Sequence, residues 1–268
     1  MHGSGWKTAP MSYTALVTGA SAGLGEEIAR QLAALRVNLV LVARTERRLD
    51  AIAMQLRRSH GVSVEVLAAD LSESSDLERV AARLTDDETP VDILVNNAGF
   101  GVLAPFERSD VEEERRLHEV LSWAPLRLSH AAIPGMLARG RGWILNVASV
   151  AAFTPTGSYG AAKAAVVSLS RSLHARYADS GVHVTALCPG LLQTEFHERM
   201  GPHLPALSKL AFADTRRVAR EGLRAVYRGS PVVSADWRYR VARPLTWILP
   251  DRLLERISAA GDHAPLAR

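Results

Sequence analysis

Apolar positions along this chain follow two alternating patterns. Short continuous runs, Tyr13–Thr18 and Val37–Ala43, suit strands buried on both faces. Spaced sets such as Ile28, Leu32 and Leu35 suit one stripe of a helix. Continued along the chain, the patterns predict helix 46–59, strand 63–68, helix 75–84, strand 92–96, a long helix 111–138, strand 143–147, helix 159–180 and strand 183–188. Strands that alternate with helices in this way predict an α/β fold, a doubly wound parallel sheet with helices on both faces and right-handed crossovers. No linker, repeat or low-complexity tract interrupts residues 11–190. After Gly190 the pattern loosens. Residues 191–231, with Pro202 and Pro205, read as a helical, lid-like excursion over the ligand crevice. Val232–Ser234 reads as a last strand, and 237–257 as a tail mixing Trp, Tyr, Leu and Arg. The expected organisation is a flexible lead over 1–11, with Met11 an alternative start, and one domain over 12–268.

The composition agrees with a globular chain: 268 residues, 47% hydrophobic and 22% charged. The single cysteine, Cys188, forms no internal disulfide, which argues against a secreted disulfide scaffold. No apolar stretch reaches the ~18 residues of a membrane span, and the first residues lack the apolar core of a secretory signal. The cytoplasm is the expected compartment. The net charge is +4, with arginines spread along the chain and often beside acids. Nucleic-acid binding calls for a concentrated basic stripe or a recognised motif, and the sequence has neither. Only three of the 32 basic residues are lysines, Lys7, Lys163 and Lys209. The lysine at 163 therefore carries weight.

Five motifs carry chemistry. The first, Thr18-Gly19-Ala20-Ser21-Ala22-Gly23-Leu24-Gly25, lies between a strand and a helix. Gly19 permits a tight turn, Gly23 admits a pyrophosphate close to backbone, and Gly25 lets helix and strand approach, so an anion sits at the helix N-terminus. The second strand ends at Ala43-Arg44, where enzymes selective for NAD place a carboxylate. A guanidinium there matches a 2′-phosphate, so NADP(H) is expected over NAD(H). Ala22 lacks the basic group that would strengthen this. Asp70-Leu71 after the third strand offers an acceptor for an adenine amino group, or caps a helix. Asn96-Asn97-Ala98-Gly99 offers two amides to pin the fourth strand's end and to touch the adenosine ribose. The fifth is Ser149 with Tyr159-Gly160-Ala161-Ala162-Lys163. Tyr and Lys four apart share a helix face. An ammonium beside a phenol lowers its pKa and makes it a general acid and base near neutral pH. Ser149 can hold a substrate carbonyl oxygen by a hydrogen bond. No metal-ligand cluster is evident.

In this order, and with Pro189-Gly190-x-x-x-Thr194, the motifs resemble the short-chain dehydrogenase/reductase family, in its bacterial ketoacyl-reductase-like branch. The resemblance runs from Tyr13 to Thr194. It implies a Rossmann-type sheet and hydride transfer between a nicotinamide cofactor and a carbonyl or secondary alcohol. It also implies that Tyr159 is the proton donor, that Lys163 holds the nicotinamide ribose and lowers the Tyr159 pKa, and that Ser149 orients the substrate. Pro189, Gly190 and Thr194 are implied to line the nicotinamide end. A homodimer or homotetramer paired through two long helices is implied too; Arg115, Arg116 and Glu112–Glu114 would serve such a bundle or face water.

Two departures stand out. The family has an Asn in the long helix that bends it and holds a proton-relaying water; that position is Leu121 here, with Ser122 about 100° around and Pro125 close by to kink the helix. Ser149 and Tyr159 are only ten apart, a shorter spacing than is common in the family. Leu121 keeps open a second reading, an NADP(H)-binding sensor or scaffold with lost or residual catalysis. A third, membrane association through 237–254, is less favoured. Phe100, Leu103, Phe153 and the segment 191–196 predict an apolar pocket for a ketone or 3-oxoacyl-type substrate.

Overall fold

The computed structural model describes residues 13–102, 104–190, 192 and 213–234. The lead over 1–11, Thr194 and the tail from 235 lie outside the described residues. Seven parallel strands form one sheet: β1 (Thr14–Thr18), β2 (Asn38–Ala43), β3 (Val64–Ala68), β4 (Ile93–Asn96), β5 (Gly142–Val147), β6 (Val182–Leu187) and β7 (Val232–Val233). Their spatial order is β3-β2-β1-β4-β5-β6-β7. The chain order reverses between β1 and β4, and the crevice outside the strand ends at such a reversal is where ligands bind in open α/β sheets. This is the Rossmann-type architecture expected from the alternating pattern.

Among the described residues seven helices cover the sheet: α1 (Gly23–Ala34), α2 (Glu46–His60), α3 (Ser74–Leu84), α4 (Val111–His118), α5 (Ala124–Ala138), α6 (Gly157–Tyr177) and α7 (Thr215–Tyr227). Alternate strand residues feed opposite cores. Val17, Leu41, Ile93 and Leu145 pack under α1, α2 and α7. Leu16, Val40, Leu94 and Ile144 pack under α3, α4, α5 and α6. Both faces are apolar because both are covered, which is why these strands read as unbroken apolar runs.

A buried polar chain fixes α6 against the sheet. Asn96 Nδ2 donates to Asn146 Oδ1 (2.8 Å), Asn146 Nδ2 donates to Ser170 Oγ (2.9 Å), and Ser170 Oγ donates to Val166 O (2.7 Å). Both sheet edges are modest. β7 is two residues long, and on β3 the carbonyls of Val64 and Ala68 accept from Arg57 and Arg79.

The long helix keeps its expected ends, 111 and 138, but is not uniform. Residues Glu119–Trp123 form a π-helical turn between α4 and α5, and Pro125 lies in the first turn of α5. One part of the segment 191–231, read as a lid, takes another place. Residues 215–227 form α7, whose Val218, Ala219, Leu223 and Val226 are buried beside α1 on the sheet. An apolar stripe at helical spacing, with arginines on the other side, makes it a covering helix of the sheet; residues 193–212 lie outside the described residues.

Asn146→Ala leaves the Asn96 amide and the Ser170 hydroxyl short of a partner. The expected loss is about 1–3 kcal/mol, measured as a lower urea midpoint at unchanged m-value.

Candidate active site

At the reversal between β1 and β4 the chain opens a cleft of about 720 Å³. Its first wall is the turn from β1 into α1. Gly19 (φ 65°) and Gly23 (φ 60°) adopt left-handed backbone. A Cβ on Gly25 would stand 2.3 Å from Gly19 O, so α1 approaches the turn as closely as glycine permits. Gly19, Ser21, Ala22, Gly23 and Leu24 line the cleft; Thr18 and Gly25 stand behind them. The Thr18 hydroxyl donates to Val95 O (3.3 Å) and accepts from Asn97 N (2.9 Å) and Ala98 N (3.0 Å). Asn97 Nδ2 returns to Thr18 O and Gly19 O (3.0 and 3.2 Å). Both asparagines therefore pin strand ends: Asn96 is wholly interior, while Asn97, Ala98 and Gly99 reach the cleft.

One end of the cleft is lined by Arg44, Thr45, Arg48, Asp70, Leu71 and Ser72. Arg44 is 69% exposed, and its Nη1 stands 3.8 Å from Asp70 Oδ2. Asp70 Oδ1 accepts from Ser72 N (3.0 Å) and Ser72 Oγ (2.8 Å), closing the turn that leads into α3. At the other end stand Ser149, Tyr159, Lys163, Pro189 and Gly190. The short spacing from Ser149 to Tyr159 is taken up by a 3₁₀ turn, Val150–Phe153, begun by Ser149 Oγ accepting from Ala151 N (3.1 Å). The Ser149 and Tyr159 side chains meet in a hydrogen bond.

The electrostatics differ from the expectation at one point. Burial pushes the Tyr159 phenol above its ordinary value, and the bond to Ser149 offsets only part of that. Lys163 stands near it. The ammonium is itself buried, which brings it down to about 8, with the neighbouring Cys188 thiol working the other way. Lys163 Nζ lies 5.8 Å from the Tyr159 ring centroid and donates to Val147 O (2.8 Å). A desolvated lysine has little charge to lend a neighbour at alkaline pH.

Sequence reasoning missed part of the lining. Glu113, Arg116 and Val120, at helical spacing on α4 and the π turn, face the cleft. Residues 112–116 had been expected at a helix bundle or in water; the 113–116–120 spacing was the available signal. Phe100, Gly101, Val102, Ala104 and Leu192 supply the rest of this wall. Phe153 packs instead against Ala148, Val166 and their neighbours. Leu103 and Leu191 lie outside the described residues.

The family model for short chain dehydrogenases matches residues 13–204. The chain belongs to the short-chain dehydrogenase family. It is therefore an oxidoreductase by family. An uncharacterized oxidoreductase of Staphylococcus epidermidis is 36% identical over 187 residues, 69% of this chain and 80% of the relative. A very-long-chain 3-oxoacyl-CoA reductase of Phaeosphaeria nodorum is 32% identical over 80% of this chain, and the match spans 65% of that enzyme. Among solved structures, a short-chain dehydrogenase from Sphingobium yanoikuyae in complex with NADPH superposes with a TM-score of 0.80 at 34% identity, covering 96% of this chain and 98% of that one.

The residues fit a nicotinamide dinucleotide. The glycine turn leaves no room for a Cβ at Gly25, a cation stands at one end of the cleft, and the buried lysine at the other has one protein acceptor among the described residues. Gly25→Ala forces α1 off the turn. Overpacking of this kind costs about 1–3 kcal/mol, so dinucleotide affinity is expected to fall roughly tenfold or more, read by nicotinamide fluorescence titration.

Proposed function

We propose that this chain is an NADP(H)-dependent carbonyl reductase that acts on apolar ketones or 3-oxoacyl-type substrates. The observation that carries the reading is the Ser149–Tyr159 hydrogen bond beside Lys163, at one end of a cleft whose other end holds Arg44. A nicotinamide dinucleotide bound here supplies hydride for reduction and accepts it in oxidation. The Ser149 hydroxyl orients the carbonyl oxygen and stabilises charge growing on it. Tyr159 Oη gives the proton to that oxygen. Because burial holds the phenol above its ordinary value, Tyr159 keeps its proton at neutral pH, which favours the reducing direction. Lys163 Nζ stands where it can hold the ribose hydroxyls. Thr194 and Pro189-Gly190 are proposed for the carboxamide end.

Arg44 is proposed to bind the 2′-phosphate, exchanging its long contact with Asp70 for a charge-assisted pair. The apolar substrate class rests on Phe100, Val102, Val120 and Leu192 along the cleft, and the resemblance to a 3-oxoacyl-CoA reductase agrees with it. The protein is proposed to act in the cytoplasm; among the described residues no helix is long and apolar enough to cross a membrane. It is proposed to pair as a homodimer or homotetramer through the long helices, where Trp123 and Leu126 expose apolar surface. The competing reading, a dinucleotide-binding scaffold with lost catalysis, is favoured by Leu121, which is fully buried beside Lys163.

Two measurements decide. Tyr159→Phe is expected to lower kcat by about 10²–10⁴-fold on a ketone while leaving NADPH binding intact; tight NADPH binding by the native protein with no turnover across a carbonyl panel supports the scaffold instead. Arg44→Ala removes a charge-assisted bond worth about 1.5–3 kcal/mol. NADPH affinity is expected to fall about 10- to 150-fold while NADH affinity barely changes, and equal losses for both cofactors would exclude Arg44 as the 2′-phosphate ligand.

A further inference from the structure

Lys163 is an unusual cation. Its side chain projects from α6 into the floor of the cleft, and the residue is only 5% exposed. Among the described residues its one hydrogen-bond acceptor is Val147 O on β5. Its open side faces the cleft, and hydrocarbon stands close by. A Cβ built on Gly99 would lie 3.7 Å from Lys163 Nζ and 3.6 Å from Leu121 Cδ1, which brings the leucine methyl and the ammonium to one spot beside the same backbone. Leu121 is fully buried, and it reaches this spot because the π turn Glu119–Trp123 carries it there. The polar neighbour in the same turn, Ser122, points elsewhere, its Oγ 3.5 Å from Ala162 O. A buried ammonium with one acceptor, and with a leucine methyl close to the same backbone, is short of solvation for its positive charge.

We propose that Leu121 couples cofactor binding to protonation of Lys163: the dinucleotide binds the ammonium form, so binding in mildly alkaline solution draws one proton from the buffer. The inference rests on the dinucleotide reading above. The incoming ribose hydroxyls supply the acceptors, and the phosphates the negative charge, that the buried ammonium lacks. Both favour the charged lysine.

The sign follows from linkage. The free protein loses the Lys163 proton around pH 8, while the complex holds it to higher pH. Between those limits the complex binds more protons than the free protein, so affinity falls as pH rises. Two other titratable groups face Lys163 among the described residues. Tyr159, on its own helix, stays protonated through this range; Cys188, at the end of β6, is a buried thiol. From the π turn, the β4 loop and β5, Leu121, Gly99 and the Val147 carbonyl come near it, and from α4 the charged Glu113 and Arg116 line the same cleft. The cofactor's own phosphate, with a second pKa of about 6, has finished titrating at pH 8.5; at pH 6.5 roughly a quarter of it is still protonated, so its exchange on binding is a release and not an uptake.

The test is calorimetric titration of the whole chain with NADPH at pH 6.5 and 8.5, each in two buffers of different ionisation enthalpy. The native protein is expected to take up roughly three quarters of a proton at pH 8.5 and almost none at 6.5, with Kd rising by up to about tenfold per pH unit above 8. Cys188→Ser is expected to keep the uptake and Lys163→Met to abolish it. Leu121→Asn, which sets an amide beside Nζ, is expected to abolish the uptake and flatten Kd against pH, and Leu121→Ala, which admits water, to reduce both. A flat Kd with no uptake in the native protein overturns the inference while leaving the dinucleotide reading standing. Uptake that survives Leu121→Asn and Leu121→Ala, or is lost in Cys188→Ser, overturns the role of Leu121 or of Lys163. No NADPH binding at either pH overturns the dinucleotide reading and this inference together.

Discussion

One hydroxyl holds the crevice open. Thr18 Oγ1 donates to Val95 O and receives the amides of Asn97 and Ala98, so it closes the hydrogen bonding of both central strands where their ladder ends. Beyond that point β1 turns toward α1 and β4 toward the loop carrying Gly99. Backbone groups that have just left a sheet need partners when buried. Here a threonine and an asparagine supply them without reaching the cleft's reactive end. The glycine turn, the Gly99 wall and the approach to Lys163 all take their positions from this latch.

The reactive end depends on a second set of buried polar contacts. The Asn96–Asn146–Ser170 chain crosses from the sheet to α6, the helix that displays Tyr159 and Lys163. Its role is rotational: an apolar interface tolerates a small roll of α6, whereas a directed hydrogen-bond chain does not. The 3₁₀ turn after Ser149 then brings the serine to the tyrosine within a short loop. The geometry of this end of the cleft is thus set by buried groups behind it.

Much of this was readable along the chain. Strands buried on both faces leave unbroken apolar runs, and Ser149, Tyr159, Lys163 and the Gly19–Gly25 turn stand at fixed offsets, so fold and site could be read together. What escaped has physical reasons. Spacing sets Tyr159 and Lys163 on one helix face but does not reveal burial, which raises the phenol and lowers the lysine. The stretch 215–227 was taken for lid because Pro and Gly nearby masked a short apolar stripe. Glu113 and Arg116 read as a bundle face or a wet one because charged side chains on a helix do not say which neighbour they meet; in the structure they line the cleft from α4.

The sheet's borders carry a consequence of another kind. An all-parallel sheet has two open edges, each a template on which another chain could lay a strand. Here β7 offers just two residues to such a visitor, and on the β3 side two carbonyls are already occupied by arginines. Strand-on-strand growth therefore meets a stub at one border and bulky cations at the other.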